Sequence, residues 1–156
     1  MKRPHGFTFI ELLVVLALLG LLAGGAMAVG DVVTRRAQEQ DLKRALREIR
    51  TALDSYKALA DSGRLRKAAG DSGYPRTLSD LVDGVPDLMA PSGTPIYVMR
   101  RLPRDPFADP TLPAAATWGL RSYESPPDRP WPGRDVFDVY SRAPGSGLDG
   151  QPYALW

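Results

Sequence analysis

The sequence predicts an α+β chain: one long N-terminal helix, half apolar and half amphipathic, packed on a small antiparallel sheet with proline-rich loops. Three observations predict it. Leu12 to Gly30 is a run of 19 residues without a charge; as a helix rising about 1.5 Å per residue it is roughly 28 Å long, close to the ~30 Å hydrocarbon core of a bilayer. Farther on, Leu42, Leu46, Ile49, Leu53, Tyr56 and Ala60 recur at spacings of 4, 3, 4, 3 and 4, one apolar stripe along a helix. Of the 15 prolines, all but Pro4 lie from Pro75 onward, which forbids long helices and central strands in that half.

Composition narrows the function. At 156 residues, the chain beyond the apolar run suffices for one small domain and a modest core. The formal charge of +2 is that of Lys2 and Arg3 alone: without them 18 of the 20 basic residues face 18 acidic ones. No basic excess remains to attract nucleic acid. There is no cysteine, and the one histidine is His5. Beyond it the chain has no Cys nucleophile, His base, disulfide or usual zinc or copper ligand. No motif announces Asp/Glu or Ser/Lys catalysis, and the expectation is a protein that is not an enzyme.

In chain order, Met1 to His5 is a short basic flank, and Lys2 and Arg3 suit a cytoplasmic side. Glu11 follows at the edge of the apolar run, where a carboxylate is costly unless paired or in reach of the headgroups. Gly20 and Gly24 form a G-x-x-x-G, either a close-packing face or two ordinary glycines of a membrane helix. Asp41, Lys43, Arg44, Arg47, Glu48, Arg50, Asp54 and Lys57 lie off the apolar stripe, and both halves together predict one helix from about Thr8 to Ala60. Gly73-Tyr74-Pro75 stops regular structure. Thr77-Leu-Ser-Asp80 has capping-box spacing and predicts a short helix over Leu78 to Val82. Ile96 to Arg100 reads as extended, and Leu120–Tyr123 and Val136–Tyr140 as antiparallel partners.

Gly6-Phe7-Thr8-Phe9-Ile10-Glu11, behind a basic leader and ahead of an apolar run, resembles the type III signal of prepilins and pseudopilins. The resemblance implies cleavage between Gly6 and Phe7 by a membrane prepilin peptidase, N-methylation of Phe7, and an assembly role for Glu11. A cationic α-amine on one subunit can neutralise a carboxylate on its neighbour, strongly so in low dielectric. Later motifs resemble the major, G-type pseudopilins of type II secretion systems: Tyr74-Pro75 with Thr77, Leu78 and Leu81; Leu102-Pro103 with Asp105-Pro106-Phe107; Asp138-Val-Tyr-Ser141; Leu148-Asp-Gly150; Pro152-Tyr153; and Trp156. The implied fold is type IV pilin-like: leader 1–6, transmembrane and assembly helix 7–30, and periplasmic domain 31–156, with helix 31–60 and the loops, short helix and sheet in 61–156. The implied protein is a single-pass inner-membrane subunit that polymerises with itself into a periplasmic pseudopilus driving protein export. Its partners would be the peptidase, other pseudopilins, the inner-membrane secretion platform and membrane lipid. The C-terminal side is placed outside by resemblance, since Arg35, Arg36, Lys43, Arg44 and Arg47 weaken the charge asymmetry.

Many G-type members bind calcium in an acidic C-terminal loop. Here Asp149 is the sole carboxylate between Ser141 and Gly150, with Asp135 and Asp138 upstream. The expectation is no bound metal, with calcium left open against an Asp149-Gly150 turn and Trp156 as a lid on the core. Asp105-Pro106 and Asp109-Pro110 read as turns rather than paired acids. Trp118, Tyr123, Trp131 and Tyr140 read as core fillers rather than a stacking surface. Other readings of the N-terminus stay open: a plain membrane anchor starting at Met1, or a secretory signal cut after Ala26-Met27-Ala28 to leave Val29. A type IV pilin or minor pseudopilin is the nearest alternative subunit, and a periplasmic domain with a cleavable signal peptide the alternative from another class.

Overall fold

The computed structural model describes residues 8–90 and 93–156, apart from the side chains of 22–29. It is α+β, with a long N-terminal helix and small antiparallel sheets, consistent with a pilin-like fold. Helix α1 spans Phe9–Asp61. Contacts divide the chain into two units, Met1–Ala37 and Gln38–Trp156. In the first unit Phe9, Ile10, Leu12 to Leu16, Leu18, Leu19 and Leu21 are all exposed.

The second unit is built on the apolar stripe of α1. Leu42, Ala45, Leu46, Ile49, Ala52 and Leu53 are buried, and Leu42 and Ile49 have no exposed surface. They pack with Leu78, Leu81, Met99, Trp118, Val136, Val139 and Tyr153 into one core. Tyr56 joins at its edge. The helix ends where the sequence supplies a glycine. Gly63 has φ +75°, and the amides of Gly63 and Arg64 reach back to the carbonyls of Ala60 and Leu59 at 3.1 Å each. That pairing is a Schellman stop, which satisfies carbonyls the helix leaves open.

Helix α2 is Asp80–Asp83, two residues later than the capping-box reading places its start. The first turn is closed by tighter bonds, Asp80 N–H to the Thr77 carbonyl and Leu81 N–H to the Leu78 carbonyl, each 3.3 Å. The acid half of the box is present: the Asp80 carboxylate accepts from the Thr77 and Arg76 amides, both at 2.9 Å. Leu78 and Leu81 are thereby turned into the core.

The expected single sheet is instead two two-stranded ones. Strand β1 (Val85–Pro86) pairs antiparallel with β2 (Pro95–Ile96), Val85 opposite Ile96 and Pro86 opposite Pro95. Proline has no N–H to donate, so the pairing stays two residues long and Tyr97 to Arg100 lie outside it. Arg64 forms an ion pair with Asp87 at the mouth of this hairpin. After a 3₁₀ turn at Ala114–Thr117, strand β3 (Trp118–Arg121) pairs with β4 (Asp138–Ser141), Leu120 opposite Val139. The ladder sits two residues from the expected Leu120–Tyr123. Ser122 leaves it because its amide donates to the Trp131 carbonyl at 3.0 Å, and Val136 leaves because its amide donates to the Pro75 carbonyl at 2.8 Å. Gly119 lies against the Tyr140 ring; an added Cβ would stand 2.3 Å from it.

The proline-rich loops are tied by carboxylates, Asp105 buried, Asp135 half-buried and Asp109 exposed. The Asp105 carboxylate accepts from the Phe107 amide and from the Ser141 hydroxyl, while its own amide donates to Thr117 Oγ1. Asp109 accepts from the amide and hydroxyl of Thr111. Both Asp-Pro pairs are turns. Asp135 gathers three segments, accepting from the Ser72 hydroxyl, the Ser122 hydroxyl and the Tyr123 amide.

Two outcomes follow from this packing. Leu46→Ala should destabilise the chain by about 2–5 kcal/mol, because it empties a fully enclosed site, measured by urea unfolding of the detergent-solubilised protein. Acid should also unfold it. Burial pushes the Asp135 carboxyl up, but hydrogen bonds from Ser72, Tyr123 and Ser122 more than offset this and hold it below the ordinary value. The Arg64 guanidinium and the Met89 amide likewise hold Asp87 low. A carboxyl with a depressed folded pKa adds stability that is complete above the unfolded value near 4 and is lost as pH falls through the folded one. Melting temperature should therefore fall below about pH 4, and Asp135→Asn should flatten part of that decline.

Candidate functional site

The N-terminal turn of α1 is organised by a reciprocal pair of bonds. The Glu11 amide donates to Thr8 Oγ1 at 3.3 Å, and the Thr8 amide donates to Glu11 Oε2 at 3.4 Å. This is a capping box, T-x-x-E, in which two otherwise unpartnered helix donors are satisfied. Negative charge in a first turn also suits the helix dipole. Glu11 is thus an exposed carboxylate fixed at the start of an exposed apolar helix. Gly6 and Phe7, the expected cleavage and methylation positions, lie outside the described residues. Among the described residues no helix is long and apolar enough to cross a membrane; the run Leu12–Gly30 includes 22–29, whose side chains are outside the described set.

The structure disperses the carboxylates that the calcium expectation needs together. Asp135 is committed to Ser72, Ser122 and Tyr123. Asp138 pairs with Arg50 at 2.8 Å. Asp149 lies 3.6 Å from the Lys43 ammonium and accepts from the Gln151 amide at 3.0 Å. Among the described residues no group of three or more Asp, Glu, His or Cys is placed to hold a metal. Calcium takes about 6–8 oxygen ligands, and these residues do not fit it. Asp149-Gly150 is a turn: the Gly150 amide donates to the Gly147 carbonyl and Gly150 has φ +82°. Trp156 packs at the edge of the core, its ring 5.0 Å from that of Tyr153.

Of the four aromatics read as core, Trp118 is buried and Tyr140 half-buried, whereas Tyr123 and Trp131 are exposed. Tyr123 stays outside because Ser122, not Tyr123, turns inward when the strand ends. Its ring stacks on Tyr74, 6.0 Å away, and meets Phe137 edge-on. The Tyr74 and Tyr123 rings flank a cleft of about 680 Å³ that is also lined by Arg66, Arg76 and Arg134, with Asp71, Asp80 and Glu124 balancing their charge.

With the first turn in place, the comparison with known families is decisive for one segment. Residues 1–27 match the prokaryotic N-terminal methylation motif. That motif is typical of type IV pilin-like proteins and pseudopilins, and it covers Gly6, Phe7, Thr8 and Glu11. It does not extend to the segments that resemble G-type pseudopilins. No curated protein and no solved structure matches the chain.

Two structured positions escape a reading by motif alone. Thr8-Phe-Ile-Glu11 has the same capping-box spacing as Thr77 to Asp80, and that spacing was a sufficient signal for it. Glu39 falls three residues before Leu42 on the apolar stripe, and a charged residue there signals a buried partner. Thr8→Ala should leave α1 formed and quicken amide exchange at Glu11 several-fold, the effect of losing a cap of about 0.5–2 kcal/mol. Unchanged exchange in detergent would count against the cap.

Proposed function

We propose that the chain is the G-type pseudopilin of a type II secretion system, a non-enzymatic filament subunit. The observation that carries this is the methylation motif over residues 1–27 together with a carboxylate, Glu11, in the first turn of an exposed apolar helix. The prepilin peptidase cuts between Gly6 and Phe7 and methylates Phe7. The helix 7–30 holds the subunit in the inner membrane as a single pass, and domain 31–156 stands in the periplasm. On assembly, the α-amine of Phe7 of one copy pairs with Glu11 of the next, and helices stack into the pseudopilus. At an effective dielectric of about 20, such a pair 4 Å apart attracts by about 4 kcal/mol. The later segments, Tyr74-Pro75 through Trp156, support the G-type assignment over a type IV pilin or a minor pseudopilin. Other pseudopilins, the inner-membrane platform and lipid are its partners.

Intact mass of the protein extracted from membranes tests the processing. A chain beginning at methylated Phe7 is expected; one beginning at Met1 or Val29 sinks the reading. Glu11→Ala should remain inserted and processed while assembled filament, counted by shearing and immunoblotting, drops by at least about tenfold, the effect of about 1.4 kcal/mol per joint. Filaments at normal yield would remove Glu11 from the joint.

A further inference from the structure

We infer that side chains of α1 fasten the C-terminal strap 145–156, so that the segment keeps its fold without a divalent cation. Calcium is left open by resemblance alone, and the carboxylates that would serve it are dispersed. What the structure places at the strap instead is a row of helix side chains at spacings of 4 and 7, Glu39, Lys43 and Arg50, which share one face of α1. Each takes hold of a different part of the strap.

Glu39 is buried, and its Oε1 accepts from the Leu148 amide at 2.8 Å and from the Tyr153 hydroxyl at 3.0 Å. The carboxylate thus satisfies a main-chain amide and a side-chain hydroxyl of the strap directly. Lys43 supplies the positive charge. Its ammonium lies 3.6 Å from Asp149 Oδ2 and 4.0 Å from the centre of the Trp156 ring. A cation brought to Asp149 would meet that ammonium first, and like charges repel. Arg50 closes the far end, donating to the Trp156 main-chain oxygen at 2.7 Å, the Val139 carbonyl at 3.1 Å and Asp138 at 2.8 Å.

The strap supports this arrangement from within. The Gly147 amide donates to the Gln151 carbonyl at 2.8 Å, and the Tyr153 amide to the Gly145 carbonyl at 3.2 Å. Gly147 lies directly under Trp156, where an added Cβ would stand 2.2 Å from the ring. Tyr153 stacks on Phe107, 4.6 Å between centroids, and so joins the strap to the core. The inference concerns the second unit alone and stands apart from the N-terminal processing, so either can fail without the other.

The test uses the full-length protein in detergent, melted with excess chelator and then with millimolar calcium chloride, with limited proteolysis of the strap in both. The two melting curves should coincide, and the strap should resist cleavage equally. Glu39→Ala should lower the melting temperature by roughly 5–10 °C, as expected for leaving a buried hydroxyl and a half-buried amide unpaired, and should expose the strap to protease; calcium should restore neither. Where Glu39→Ala does not fold, Glu39→Gln and Arg50→Met give milder forms of the same losses. A rise in the wild-type melting temperature with calcium overturns the inference, as does a fall with chelator. So do Glu39 and Arg50 variants that melt like the wild type.

Discussion

A single row of apolar side chains on α1 is the constraint on which the second unit depends. The segments from Leu65 to Trp156 contain only four-residue strands at most and 14 prolines, so they cannot build a sheet with a core of its own. Two-stranded pairs are at best marginal in water by themselves. They are held because Leu81, Trp118, Val136, Val139 and Tyr153 share one core with the helix stripe. A rigid rod with one greasy face orders what would otherwise be a set of loops.

Polar groups then decide how the loops lie on that rod. Asp105, Asp135 and Asp80 accept from backbone amides that have no strand partner, and these bonds pin the proline-rich loops. Between the helix and the strap, Glu39 accepts from the Leu148 amide and Arg50 donates to the Trp156 main-chain oxygen. Ion pairs at the surface, such as Arg134 with Glu124, contribute little by comparison. Satisfied backbone groups, rather than numerous salt bridges, give these loops one conformation.

The first unit follows a different logic. Its helix carries the Thr8–Glu11 cap and the Thr34 hydroxyl on the Gly30 carbonyl. Its large apolar side chains from Phe9 to Leu21 are exposed. Such a face, next to a methylation motif, is suited to other helices or to lipid, and the capping box fixes the Glu11 carboxylate at its start.

By itself the sequence determined the helix, its two halves, its glycine stop and the N-terminal signal. These are local facts: a period of 3.6, a run without charge, a glycine free to take positive φ, and a six-residue motif can all be read without knowing what touches what. Only tertiary structure decided the strand register, the division into two sheets, the exposure of Tyr123 and Trp131, and the separation of Asp135, Asp138 and Asp149. In each case the deciding partner is remote in the chain: the Trp131 carbonyl for Ser122, the Pro75 carbonyl for Val136, Arg50 for Asp138 and Lys43 for Asp149. Short strands between prolines have little pattern to fix their pairing, so distant hydrogen bonds and ion pairs set it.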